Sequence, residues 1–390
     1  MQTMKRKICV TITNRANYGS IKTAMEAIRD HPDLELQLII GASALLSRFG
    51  EAIKYIENDG FKPNDVVYMV VEGENPITMA KTTGLGIIEL STCFQNLKPD
   101  VVLTVGDRYE TMATAIASSY MNIPLAQTMG GEISGTIDES VRHAVTKLAN
   151  IHFPANKKSA ERIIKMGEDP KSVYPVGCPR IDLVLDILKN EPELNVDIFK
   201  EFKGVGGTFD LDEPFLLVSQ HPVTTEYKDA RRQIEATLQA LKELEVPTIM
   251  LWPNIDAGSD QISKGIRTFR EYHHDVDKFL HLFTSLPPEV YTRLMNKCAS
   301  MVGNSSSAIR EGAVIGVPAV NIGKRQNGRE KGKNVMDVGY NKEEIVEATE
   351  KQLKHGKYPP DYIYGDGKAG KRIADILATC ELNVQKRILL

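Results

Sequence analysis

The side chains that could carry chemistry are concentrated between Asp107 and His143. Asp107 and Arg108 come directly after an apolar run at 100–105, and Gly130-Gly131-Glu132 comes directly after a second run at 124–129. Glu139, Arg142 and His143 lie a few residues on, along a helix expected over 137–149. An acid, a guanidinium and an imidazole at one crevice are what proton transfer beside a pyrophosphate requires. Each acid also has a plainer reading. Asp107 can cap the following helix, and Thr136-x-x-Glu139 has the form of a capping box in which Glu139 serves the backbone.

A second set lies further on. Gln220-His221-Pro222 leaves the apolar run 215–219, and Asn254 lies in the loop leaving 248–252. At 301–312 a short strand turns on Gly303 into Ser305, Ser306 and Ser307, where backbone N–H groups and hydroxyls offer an anion site at the start of a helix. Glu311 follows, and then a glycine-bearing loop with Lys324, Arg325 and Arg329. Near the start, Arg15 occupies the loop after the run 7–13, where it can meet a phosphate or simply be a solvated loop arginine.

These residues share one position: each sits where a strand stops. Strands expected at 7–13, 36–41, 65–71, 100–105, 124–129, 151–154 and 173–176 alternate with helical segments, including 50–58 and 77–97. That alternation marks βα units in a parallel sheet, whose ligands bind at the carboxyl ends of the strands. A chain of 390 residues exceeds one ordinary core, so two domains are expected. Gly177-Cys178-Pro179 divides them into 1–178 and 179–368. The charged, glycine-bearing stretch 191–209 reads as the connection or as an early excursion of the second domain, and 72–77 as a mobile loop at the crevice mouth.

Composition narrows the function. A net charge of −3, with 25% charged and 42% hydrophobic residues, gives no basic footprint for nucleic acid and no polybasic run for a membrane. The opening lacks the apolar core of a signal peptide, and no run approaches the length of a membrane span. Five scattered cysteines without a C-x-x-C pair point to a reduced cytoplasm. His273-His274 has no partners at ligand spacing, so neither a metal nor a cofactor is expected.

The wording of the segments goes further than their positions. GDRYE and GGEISGTIDESVRHAVTKLA, with NRANY, GCPRID, QHPVTT, WPNIDAGS, GNSSSAIREG, NIGKRQNGRE and IYGDG, together resemble the hydrolysing UDP-N-acetylglucosamine 2-epimerases over nearly the whole chain. The resemblance implies an α/β fold of two Rossmann-like domains facing across a cleft, the GT-B architecture, with a C-terminal helix (369–390) packing back on the first domain. It implies Asp107, Glu132, Glu139 and His221 as catalytic residues. It implies Arg15, Arg108, Arg142, His143, Asn254, Ser305, Ser306, Glu311 and Arg325 as contacts to the UDP-sugar, with Ser305 and Ser306 at the diphosphate and Glu311 at the ribose.

Departures from the family pattern fall in two segments. Near the start, Asn17 stands where the family commonly has Asp, and Gly19 where it often has Ser. Where the family reads His-x-Glu-Gly-Gly-Glu, this chain has Gln127-Thr128-Met129-Gly130-Gly131-Glu132. A thioether moves no proton, so Glu132 or Glu139 takes the role, another proton is moved, or the protein binds without turnover. The favoured activity is hydrolytic 2-epimerisation of UDP-N-acetylglucosamine to N-acetylmannosamine and UDP, the first step toward sialic acids. The alternatives are the same chemistry on a UDP-linked 2,4-diacetamido-6-deoxy sugar, a GT-B glycosyltransferase, or a nucleotide-sugar binding protein. A homodimer or homotetramer is expected, with no nucleic-acid or membrane partner.

Overall fold

The computed structural model describes residues 5–389. Its first half forms a sheet from β1 (Arg6–Ile12), β2 (Leu34–Gly41), β3 (Asp65–Val67), β4 (Val101–Val105), β5 (Leu125–Thr128) and β6 (Ile151–Phe153). All six strands are parallel, in the order β3-β2-β1-β4-β5-β6. The second half contributes β7 (Gly204–Gly206), β8 (Leu216–Ser219), β9 (Thr248–Leu251), β10 (Leu280–Phe283), β11 (Ser300–Gly303), β12 (Ala319–Ile322) and β13 (Val335–Val338). Their order is β13-β12-β11-β8-β9-β10-β7, with only β7, at the edge, antiparallel. Without β7 the second sheet repeats the first, since β8 lies between β9 and β11 as β1 lies between β2 and β4. This is the Rossmann order twice over, so the chain has the expected α/β class and GT-B arrangement.

The sequence makes these sheets because their central strands are apolar on both faces. Every residue of β4 and of β8 is buried, which only a sheet covered by helices on both sides permits. The helix Arg15–Asp30 covers the first sheet with Ile21, Ala24, Met25 and Ile28, and Asn14 caps it by accepting from the Asn17 N–H. The last helix, Ala369–Thr379, lies against this one so closely that a Cβ on Gly370 would come within 2.6 Å of the Thr23 backbone.

Several expectations change in detail. Residues 173–176 form no strand, only a single bridge between His152 and Val173, because Pro175 has no N–H to continue a ladder. The run 65–71 shortens to β3, and the helix expected over 50–58 is present but starts later, as Ile53–Asn58. The stretch 191–209 holds the helix Ile198–Glu201 and β7, so it belongs to the second sheet. No helix among the described residues is long and apolar enough to cross a membrane.

Candidate active site

The exit loops of both sheets line one cleft, and the two switch points, β1/β4 and β8/β11, face each other across it. Gly303 makes the second of these turns possible. It has φ 131°, and a Cβ there would lie 2.2 Å from the Ser219 carbonyl oxygen. Asn304 then fixes the β8 exit loop, accepting from the His221 N–H at 2.7 Å and donating to the His221 carbonyl at 2.8 Å. The Asn254 N–H donates to His221 Nδ1 at 3.4 Å, so the proton of the neutral ring sits on Nε2, 3.3 Å from Ser219 Oγ. Burial, and then Arg325, Arg15 and Arg108, hold the His221 pKa well below its ordinary value.

Two cations on this wall have spare hydrogen-bonding capacity. Arg325 makes one bond, from Nη1 to the Asn304 carbonyl at 3.3 Å. Arg15 Nη1 is buried without a partner, and burial lowers the Arg15 pKa. A buried guanidinium in that condition is stabilised by an arriving anion. Ser305 and Ser306 line the cleft beside them. They do not open an α-helix directly as expected: Ser306–Ala308 is one 3₁₀ turn, followed by the short helix Glu311–Ile315. An anion here would therefore be held by hydroxyls and guanidinium groups more than by a helix dipole. Glu311 lines the cleft and accepts from Arg180 Nε at 3.0 Å.

Arg108 and Arg142 also line the cleft, but both are engaged. Arg108 is paired with Glu110 and, across the cleft, with Asp256 at 2.6 Å, and these acids outweigh the effect of burial to raise its pKa. Arg142 is clamped to Asp107, to the Glu132 carbonyl at 2.7 Å and to Ser134 Oγ at 3.1 Å. Burial alone would raise the Asp107 pKa, but Arg142, Arg329 and Arg310 hold it well below the carboxylate range.

Three of the expected residues lie elsewhere. Glu132 is fully buried behind the wall, paired with Arg310 and Arg329, and burial is outweighed by these arginines so that its pKa is lowered. A carboxylate held in that way is a structural anchor with no open path to a ligand. Glu139 accepts from the Ser134 N–H at 2.6 Å and lies 3.7 Å from His143, and neither residue lines the cleft. The capping box is incomplete: Thr136 caps the Asp138 N–H, while Glu139 serves Ser134 instead of Thr136.

On this helix the acid that does face the cleft is Asp138. Burial, then Asp107 and Asp256, push its pKa up to about 6, against the pull of Arg325 and Arg108. Met129 lines the same wall at φ 58°, with its sulfur 3.6 Å from Cys178 Sγ. A non-glycine residue in that backbone region is uncommon and tends to occur at functional sites.

The profile of the UDP-N-acetylglucosamine 2-epimerase family matches residues 26–378. The chain belongs to that family. Among its relatives, a Legionella pneumophila protein described as a hydrolysing UDP-N,N'-diacetylbacillosamine 2-epimerase is 34% identical over 98% of both chains. A Neisseria meningitidis UDP-N-acetylglucosamine 2-epimerase is 30% identical over 99% of both. The fold is shared with the Methanocaldococcus jannaschii epimerase solved with UDP-GlcNAc and UDP, at a TM-score of 0.79, 18% identity, and 95% and 99% of the two chains covered. Asp138, Arg180 and Arg310 were not singled out from the sequence, although all three lie in the family's motif segments, and Arg329 was noted only as one cation of its loop.

Proposed function

We propose that the protein is a hydrolysing 2-epimerase of a UDP-linked 2-acetamido sugar, with Asp138 as the residue that takes the proton from C2. The observation that carries this reading is the pair Asp107 and Asp138. They share one cleft, yet their environments drive their pKa values apart, one far down and the other up to about 6. Such a pair separates an always-ionised group from one that exchanges protons near neutrality.

In this proposal Arg15, Arg325, His221, Ser305 and Ser306 hold the diphosphate, and Glu311 holds the ribose. Asp138 removes the C2 proton, the electron pair forms the C1–C2 double bond, and the C1–O bond breaks to release UDP. Return of a proton to the other face of C2 and addition of water at C1 give the free 2-epimer. Charge developing on the leaving diphosphate is met by groups already in place, the kind of stabilisation that contributes most in a dry cleft. Asp107 fixes Arg142, Glu132 anchors Arg310 and Arg329 from behind the wall, and Glu139 and His143 have no part in it.

A second reading concerns the sugar, for which UDP-N-acetylglucosamine is our first choice. Met129 gives the wall an apolar surface suited to a C6 methyl, and the Legionella relative is named for a diacetamido sugar. Incubation in heavy water with each UDP-sugar, followed by NMR, tests both points. The expected outcome is UDP and a free 2-epimer carrying deuterium at C2, with one sugar preferred. Unlabelled, unepimerised sugar would identify a simple hydrolase and overturn the reading.

A further inference from the structure

Gly19 is buried in the second turn of the helix Arg15–Asp30, and its backbone is not left-handed. Alanine is the better helix former at such a position, so the glycine needs another reason. The space is taken by a side chain from a different helix. A Cβ on Gly19 would lie 1.7 Å from Arg180 Nη1 and 2.9 Å from Arg180 Cζ. Gly19 is therefore the seat of a guanidinium.

Arg180 belongs to the first turn of the helix Pro179–Asn190, and the root of that helix is fixed. The Pro179 carbonyl accepts from Thr23 Oγ1 at 3.0 Å, and Asp182 accepts from the Ala369 and Gly370 N–H groups at 3.0 and 2.7 Å. From this base the guanidinium spans both halves of the chain. Its Nη atoms lie beside Gly19 of the first half, while Nε donates to Glu311 Oε1 of the second at 3.0 Å. The two side chains are only 11% and 7% exposed, so water screens the pair weakly. The other Glu311 oxygen enters no hydrogen bond among the described residues, and Glu311 lines the cleft.

We propose that Arg180, seated on Gly19, is a positioning residue that fixes the Glu311 carboxylate so that its free oxygen accepts from the ribose hydroxyls of the nucleotide. The inference rests on the nucleotide-sugar reading above and names the device by which that site selects a ribonucleotide. A carboxylate makes strong hydrogen bonds to hydroxyl groups only when it is aimed at them. The diphosphate proposed for the same cleft repels a carboxylate, and the Arg180 guanidinium offsets that repulsion. A side chain on residue 19 would push the guanidinium off its seat and release Glu311.

Calorimetry of the full chain with UDP and with 2′,3′-dideoxy-UDP tests this. The parent should bind UDP more tightly by roughly tenfold or more, the usual effect of a hydrogen bond to a charged group. Arg180→Ala and Gly19→Ala should each lower the UDP affinity toward that of dideoxy-UDP, leaving the latter nearly unchanged. Gly19→Ala keeps every charge and displaces only the end of a flexible side chain, so its melting should match the parent's and it stays informative if Arg180→Ala folds poorly. Together the two changes should weaken UDP no more than Arg180→Ala alone, because the methyl then has no guanidinium to displace. A preference for UDP that survives in both single variants, or its absence in the parent, overturns the proposal and leaves the UDP site standing. Additive losses in the double variant overturn the role of Gly19 as the seat. A parent that binds neither nucleotide overturns the reading beneath the proposal, and the proposal with it.

Discussion

Asp138 and Glu139 are neighbours of the same chemical type on the first turn of one helix, and only the helix register separates their fates. Asp138 and Arg142, four residues apart, both face the cleft; Glu139 and His143, also four apart, both face away. Side chains at i and i+4 share a face, so the expectation that Arg142 and His143 would both meet the ligand already conflicted with helical geometry. The segment was legible in the sequence, but the direction of its side chains was not. If Asp138 moves the proton, kcat/KM should fall on the acid side with a midpoint near its pKa of about 6. Asp138→Asn should lower kcat by roughly 10²-fold or more while UDP binding by calorimetry is retained. Asp107→Asn should shift the acid limb to lower pH, because removing a neighbouring negative charge favours the ionised form of Asp138. An unmoved limb in Asp107→Asn would separate the two carboxylates.

At the scale of elements, the strand-end rule gathered Arg15, Asp107, His221, Asn254, Ser305 and Arg325 at one cleft without any contact information. It could not reveal Arg310 and Arg329, because their partner Glu132 comes from the other half of the chain, 178 and 197 residues away. Glu132 pins the loop after β5 to those after β11 and β12. Breaking a buried pair leaves charge uncompensated, so Glu132→Gln should destabilise the fold by about 3 kcal/mol at neutral pH. The lowered pKa fixes the sign of the pH dependence. This stabilisation is present above the ordinary glutamate value of 4.5 and is lost as pH falls through the lower folded value. Urea melts at pH 7 and in acid should therefore converge for the parent and Glu132→Gln; a constant difference would place the stabilisation elsewhere. Elements shorter than expected, such as β3 and the lone bridge at Val173, escaped the sequence because apolar runs do not say where a neighbour's hydrogen bonds end.

At the scale of the whole molecule, the halves meet through backbone as well as side chains. The Gly135 N–H donates to the Arg325 carbonyl at 3.1 Å, and a Cβ on Gly135 would lie 1.9 Å from the Lys324 carbonyl oxygen. Gly135 is absent from the residues with left-handed backbone, so a side chain is excluded there by the opposite half and not by its own conformation. Gly135→Ala should thus force the two loops apart, lowering the melting temperature and also lowering kcat/KM by roughly 10²-fold, the usual cost of misplacing reacting groups by about 1 Å. Unchanged kinetics would mean that the contact yields without moving the site.

That single backbone bond has a consequence for geometry. Gly135 lies three residues before the acid proposed to take the proton, and its acceptor is the backbone of the cation proposed to hold the leaving group. The bond therefore ties the segment that carries Asp138 to the loop that carries Arg325, so a shift of one is passed to the other through the backbone. The clasp makes the spacing of the two ends of the cleft a property of the backbone and not of the side chains that line it.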